Sequence, residues 1–74
     1  MSNISVHINV WDKDGHFHQI FDVKIVRYFN PTKSEKESSR KLVRSLYPNY
    51  KRAELVVSHY DKNDYNDKSN VEEL

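Results

Sequence analysis

The 74-residue chain has no cysteine, a single glycine and two prolines. It also lacks any apolar run long enough for a signal-peptide core or a membrane span. Without cysteine there is neither a disulfide scaffold nor a thiolate zinc site to staple a small fold. Without a long apolar run, neither export nor membrane insertion is expected, and a reducing cytoplasm is the natural setting. Net charge is only +1, short of the basic footprint of a dedicated nucleic-acid domain. A chain of this length buries little of its unfolded surface, so one domain with a small core is expected, with self-association as an easy supplement.

The small net charge hides a division. Residues 1–60 carry ten Lys/Arg against six Asp/Glu, and residues 61–74 carry two against five. Residues 61–70 are polar and show no apolar period. The expected organisation is therefore a mildly basic domain over residues 1–60 and a disordered, flexible acidic tail over 61–74.

Gly15, the one glycine, stands in Asp12-Lys13-Asp14-Gly15 between two runs with apolar residues at every second position. That placement predicts a β-hairpin, with glycine supplying the positive φ that the loop needs. Ile4, Val6, Ile8 and Val10 form the apolar set of the first strand. Phe17, Phe21, Val23, Ile25 and Phe29 form that of the second, which is expected to run on to Phe29. With Asp12 to Gly15 as the loop, Trp11 falls opposite His16, Val10 opposite Phe17 and Val6 opposite Phe21. Both apolar sets then share one face, which a one-residue slip would undo.

Asn30-Pro31-Thr32 ends the second strand. Thr32 with Glu35, or Ser34 with Glu37, suits a capping box. Leu42, Val43, Leu46 and Tyr47 then form an apolar stripe at helical spacing, and Pro48-Asn49 stops the helix. A last strand spans Ala53 to Tyr60, with Ala53, Leu55 and Val57 on one face. The predicted fold is α+β, a single ββαβ domain with one helix packed on one face of a three-stranded mixed sheet. The first strand is favoured as the centre of that sheet.

Few residues suggest chemistry. His7, His16 and His18 fall on the same expected outer face, within reach of a shared metal, but spacing fixes no carboxylate or cysteine beside them. A solvated polar face is the simpler reading, and no metal or cofactor is expected. The Asp12 to Gly15 loop has its glycine too early for a calcium loop. One sheet layer with one helix offers little concavity for catalysis, so neither an enzyme nor a small-molecule substrate is expected.

Two surfaces remain. Between Glu37 and Glu54 there is no acidic residue, and Lys36, Arg40, Lys41, Arg44, Lys51 and Arg52 are interleaved with Tyr47 and Tyr50. Cations along a helix with aromatics nearby can track phosphates and stack on bases. The outer sheet face, in the expected phases, displays Trp11, Ile20, Val26, Tyr28, Val56 and Tyr60, a large apolar surface for one uncovered face. The preferred expectation is a small protein-interaction module using that face or an open edge strand, a homodimer included. Nucleic-acid binding through the basic helix and following loop is the alternative. By analogy alone, such a chain suits an accessory or inhibitory protein of a phage or other mobile element.

Overall fold

The computed structural model describes residues 3–61 and 64–74, with side chains over 4–59 and 68–74. Strands β1 (Asn3–Trp11) and β2 (Phe17–Ile20) precede helix α1 (Lys33–Leu46), and β3 (Arg52–Asp61) and β4 (Asp64–Glu73) follow it. The strands form one sheet in the order β2-β1-β3-β4, with every neighbouring pair antiparallel. The fold is α+β with one helix, but it departs from the expected three-stranded mixed sheet in two respects. β1 lies between β2 and β3, the place expected for it, and that placement makes every contact antiparallel rather than mixed. A fourth strand comes from the segment expected to be a disordered tail.

That fourth strand has no apolar period because it sits at an edge and is held by other means. Val71 pairs with Val56 and Ser69 with Ser58. The Asn70 side chain donates to the Phe29 carbonyl at 3.0 Å, and Lys36 on the helix reaches Glu72 at 3.6 Å. Backbone pairing and these polar ties do what an apolar stripe does elsewhere.

The core lies between the sheet and α1. Val6, Ile8 and Val10 of β1 stand beside Ala53, Leu55 and Val57 of β3, all buried, and Val43 of the helix closes over them. Leu42, Tyr47 and Tyr50 pack at the margin, whereas Leu46, expected in the stripe, is exposed. The helix starts at a capping box: Thr32 Oγ1 accepts from the Glu35 amide, and Glu35 accepts from the Thr32 amide at 2.9 Å. Glu35 also accepts from the Arg27 amide at 2.8 Å. These backbone donors, that of Thr32 first, lower the pKa of the Glu35 carboxyl. They also tie the incoming chain to the first helical turn.

The hairpin register differs by one residue from the expected one. Trp11 pairs with Phe17, Val10 with His18 and Ile8 with Ile20. The cause is the loop. The Gly15 amide donates to the Asp12 carbonyl and the Asp12 amide to the His16 carbonyl, both at 2.9 Å. Asp12 Oδ1 accepts from the amides of Asp14 and His16, and Gly15 takes φ +85°. Asp12 and His16 therefore close the ladder around a three-residue loop, a tight turn followed by a left-handed glycine. Because side chains alternate, this slip turns His18 and Ile20 toward the helix and Phe17 outward.

β2 also stops at Ile20, well short of Phe29. Asp22 adopts φ +57°, and the next ladder-like bond runs from the Val23 amide to the Val6 carbonyl at 3.3 Å. Ile20 to Val23 thus spans one residue more than Ile8 to Val6. The insertion acts as a bulge and re-aims the chain. Beyond it, Val23 and Val26 are buried and Phe29 is half-buried against the core. This spacing of three leaves Ile25 toward solvent, while Phe21, before the bulge, continues the outward side of Phe17 and Gln19.

Candidate interaction face

Among the described residues no helix covers the face opposite α1, and its side chains fall into rows across the strands. Phe17, Trp11 and Arg52 make the first row. The Trp11 and Phe17 rings lie 5.1 Å apart, and the Arg52 guanidinium sits 5.0 Å from the Trp11 ring centroid. Gln19, Asn9, Glu54 and Glu73 make the second row. Here Gln19 donates to Asn9 at 3.1 Å and Asn9 to Glu54 at 3.0 Å. Arg52 joins the two rows, bonding Glu73 at 2.8 Å and Glu54 at 3.3 Å. Glu73 is the main cause of the raised Arg52 pKa.

The third row is apolar. His7, Val56 and Val71 are cross-strand neighbours, and the Phe21 ring lies 5.9 Å from that of His7. Ser5, Ser58 and Ser69 form the fourth row, with Ser58 and Ser69 hydroxyls 3.3 Å apart. Phe17, Phe21 and Val71 are 51 %, 64 % and 54 % exposed. Uncovered aromatic and branched side chains on a sheet face are the feature that contact with another chain would exploit.

The residues singled out from sequence divide. Trp11 lies half-buried on this face, and Val56 is on the same side but buried among its neighbours rather than displayed. Ile20 and Val26 do not: the loop register turns Ile20 inward, and the bulge at Asp22 leads Val26 into the core. Tyr28 is exposed in the connection to the helix, and the Tyr60 side chain lies outside the described residues. Phe17, Phe21 and Val71 were missed as outer-face residues. The signal for the two phenylalanines was in the loop, since an aspartate three residues before the only glycine is suited to bond the two amides that fix the slip.

Of the basic set, Arg40 lies 2.7 Å from Glu37 and Lys36 lies near Glu72. Arg52 is held among carboxylates on the sheet face remote from the helix. Tyr50 is half-buried against the core. Lys41, Arg44 and Lys51 are exposed.

The three expected histidine neighbours are also separated. His7 is on the outer face, His16 is exposed in the loop, and His18 faces the helix. His18 Nε2 donates to Asp12 Oδ2 at 2.8 Å and its ring stacks on Tyr47, with centroids 4.6 Å apart. The His18 hydrogen bond, with the His16 and Asp14 amides, lowers the Asp12 carboxyl to about 2. Asp12, Asp14 and His16 offer ligand atoms within 4.8 Å of one another. Asp12 already serves the turn and His18, so this cluster reads as turn chemistry. A 290 Å³ hollow lies between this loop and the Leu46 to Asn49 segment.

No protein-family model, curated protein or solved structure matches the chain. Among the described residues no helix is long and apolar enough to cross a membrane.

Proposed function

We propose that the protein is a small, non-enzymatic interaction module that docks a protein on the outer face of its sheet. The observation that carries this reading is the orientation of β2. Its loop turns Phe17 outward, and Phe21 is exposed as well, while a histidine takes an inward position that needs a carboxylate partner. Such an arrangement costs little if the phenylalanines meet another apolar surface. Trp11 and Val71 extend the same surface, over a Val56 that is already buried beneath its neighbours, and Arg52 forms a charged rim already paired to Glu54 and Glu73. A cytoplasmic setting belongs to this reading, as a cysteine-free domain has no need of oxidising surroundings.

The test compares immobilised wild-type protein with F17S/F21S and with K41E/R44E. The reading expects protein captured from the extract of its source cell to be lost with F17S/F21S and kept with K41E/R44E. The reverse pattern, with nucleic acid retained by the wild type, would move the function to Lys41, Arg44 and Lys51 on and beyond the helix.

A further inference from the structure

Resting on that reading, we infer that the occupant of the outer face is a second copy of this chain, packed face to face about a two-fold axis along the strands between β1 and β3. Such an axis carries β2 onto β4 and β1 onto β3, and leaves each cross-strand row opposite itself in reverse order. The rows are complementary under that operation, except that Phe17 falls past the end of the partner's β4, whose Glu73 belongs to the second row. Trp11 of one copy meets the partner's Arg52, and Arg52 meets the partner's Trp11, so the cation–π pairing seen within the chain is repeated across the interface. Asn9 meets the partner's Glu54, and Gln19 the partner's Glu73, so amide donors meet carboxylate acceptors. Phe21 meets the partner's Val71, and His7 the partner's Val56, so the apolar row closes on itself.

An axis across the strands fails the same comparison. It sets the aromatic row against the serine row, with Trp11 on the partner's Ser5, and the apolar row against the amide and carboxylate row, with Phe21 on the partner's Gln19.

The area fits a reversible dimer. Four strands about 4.8 Å apart and seven residues of about 3.3 Å rise give a face of about 19 by 23 Å. Two such faces enclose about 900 Å² of projected surface, and more once side-chain relief is counted, near the lower bound of about 1,200 Å² for stable pairs. An interface of this size belongs with weak, reversible associations.

Sedimentation equilibrium from about 1 µM to about 1 mM tests this with wild type, F21K, V71E and an equimolar mixture of the two variants. Both sites are more than half exposed, and circular dichroism checks that each variant is folded. The expected result is a wild-type dimer, association weakened about tenfold or more in each variant, and a dimer restored in the mixture, where the new lysine faces the new glutamate. A wild type that stays monomeric overturns the second copy as occupant. A dimer indifferent to both substitutions overturns the face, and loss without rescue in the mixture overturns the axis. The two readings fail separably: a monomer that still captures protein through Phe17 and Phe21 rejects only the second copy, whereas capture unaffected by F17S/F21S rejects the docking face.

Discussion

Asp12 and His18 are joined across the hairpin by a 2.8 Å hydrogen bond from His18 Nε2 to Asp12 Oδ2. The same aspartate bonds the amides of Asp14 and His16 through its other oxygen. One side chain therefore shapes the turn and holds the histidine that the turn directs inward, against Tyr47. Sequence, register and the composition of the opposite face are linked at this residue.

Acid should weaken the fold through Asp12. Its carboxyl is lowered from 3.8 to about 2, chiefly by the His18 hydrogen bond. The unfolded chain then takes up a proton at higher pH than the folded one. The stabilisation is fully present above the ordinary value of 3.8 and is lost as pH falls through about 2. Urea denaturation from neutral pH down to pH 2 should show this decline in wild type, and D12N should flatten it. D12N keeps a carbonyl oxygen for the turn amides while removing the charge beside His18. An unchanged pH profile in D12N would detach Asp12 from acid stability.

Gly15 should be costly to replace for one reason only. It adopts φ +85°, and a Cβ added there would meet nothing within 4 Å. Gly15→Ala should therefore lose about 1 kcal/mol through backbone strain, with no crowding contribution, whereas Gly15→Asn should lose less because asparagine tolerates the left-handed region. Chemical denaturation of both variants gives the comparison, and equal losses would point to a cause other than φ.

The capping box gives a third expectation. Thr32 Oγ1 accepts from the Glu35 amide at 3.1 Å, so Thr32→Ala should cost about 1 kcal/mol. Thr32→Ser should cost much less, since it keeps the acceptor. The loss should appear in equilibrium unfolding and in faster amide exchange at the first helical turn.

How far the fold could be read depended on the kind of signal. Alternation at Ile4 to Val10 and at Ala53 to Val57 marked the strands that form the core, because a half-buried strand must alternate. Thr32, Glu35 and Pro48 marked the helix ends, because capping is local chemistry. The second strand misled because its apolar residues follow no single period: Phe17 and Phe21 point outward, while Val23 and Val26 enter the core after the bulge at Asp22. A left-handed aspartate leaves no mark in an apolar pattern. β4 escaped for another reason. An edge strand needs only one backbone partner, and the charged residues that suggested a disordered tail are partly ion-paired, as Glu72 is to Lys36 and Glu73 to Arg52.

The outer phenylalanines should prove nearly neutral for folding. Phe17 and Phe21 keep more than half of their surface in solvent, whereas Leu55 keeps none. Leu55→Ala should cost about 2–5 kcal/mol, the usual range for emptying a buried leucine site. Phe17→Ser and Phe21→Ser should each cost under about 1 kcal/mol, since each gives up only partial burial and one ring contact, with Trp11 or His7. Stability must be measured on dilute protein, below the range of self-association, because dimer formation adds to apparent stability by mass action. Losses at Phe17 and Phe21 as large as that at Leu55 would mean that these rings hold the monomer together. The outer face would then owe its aromatics to folding, and the argument for a docked partner would lose its main support.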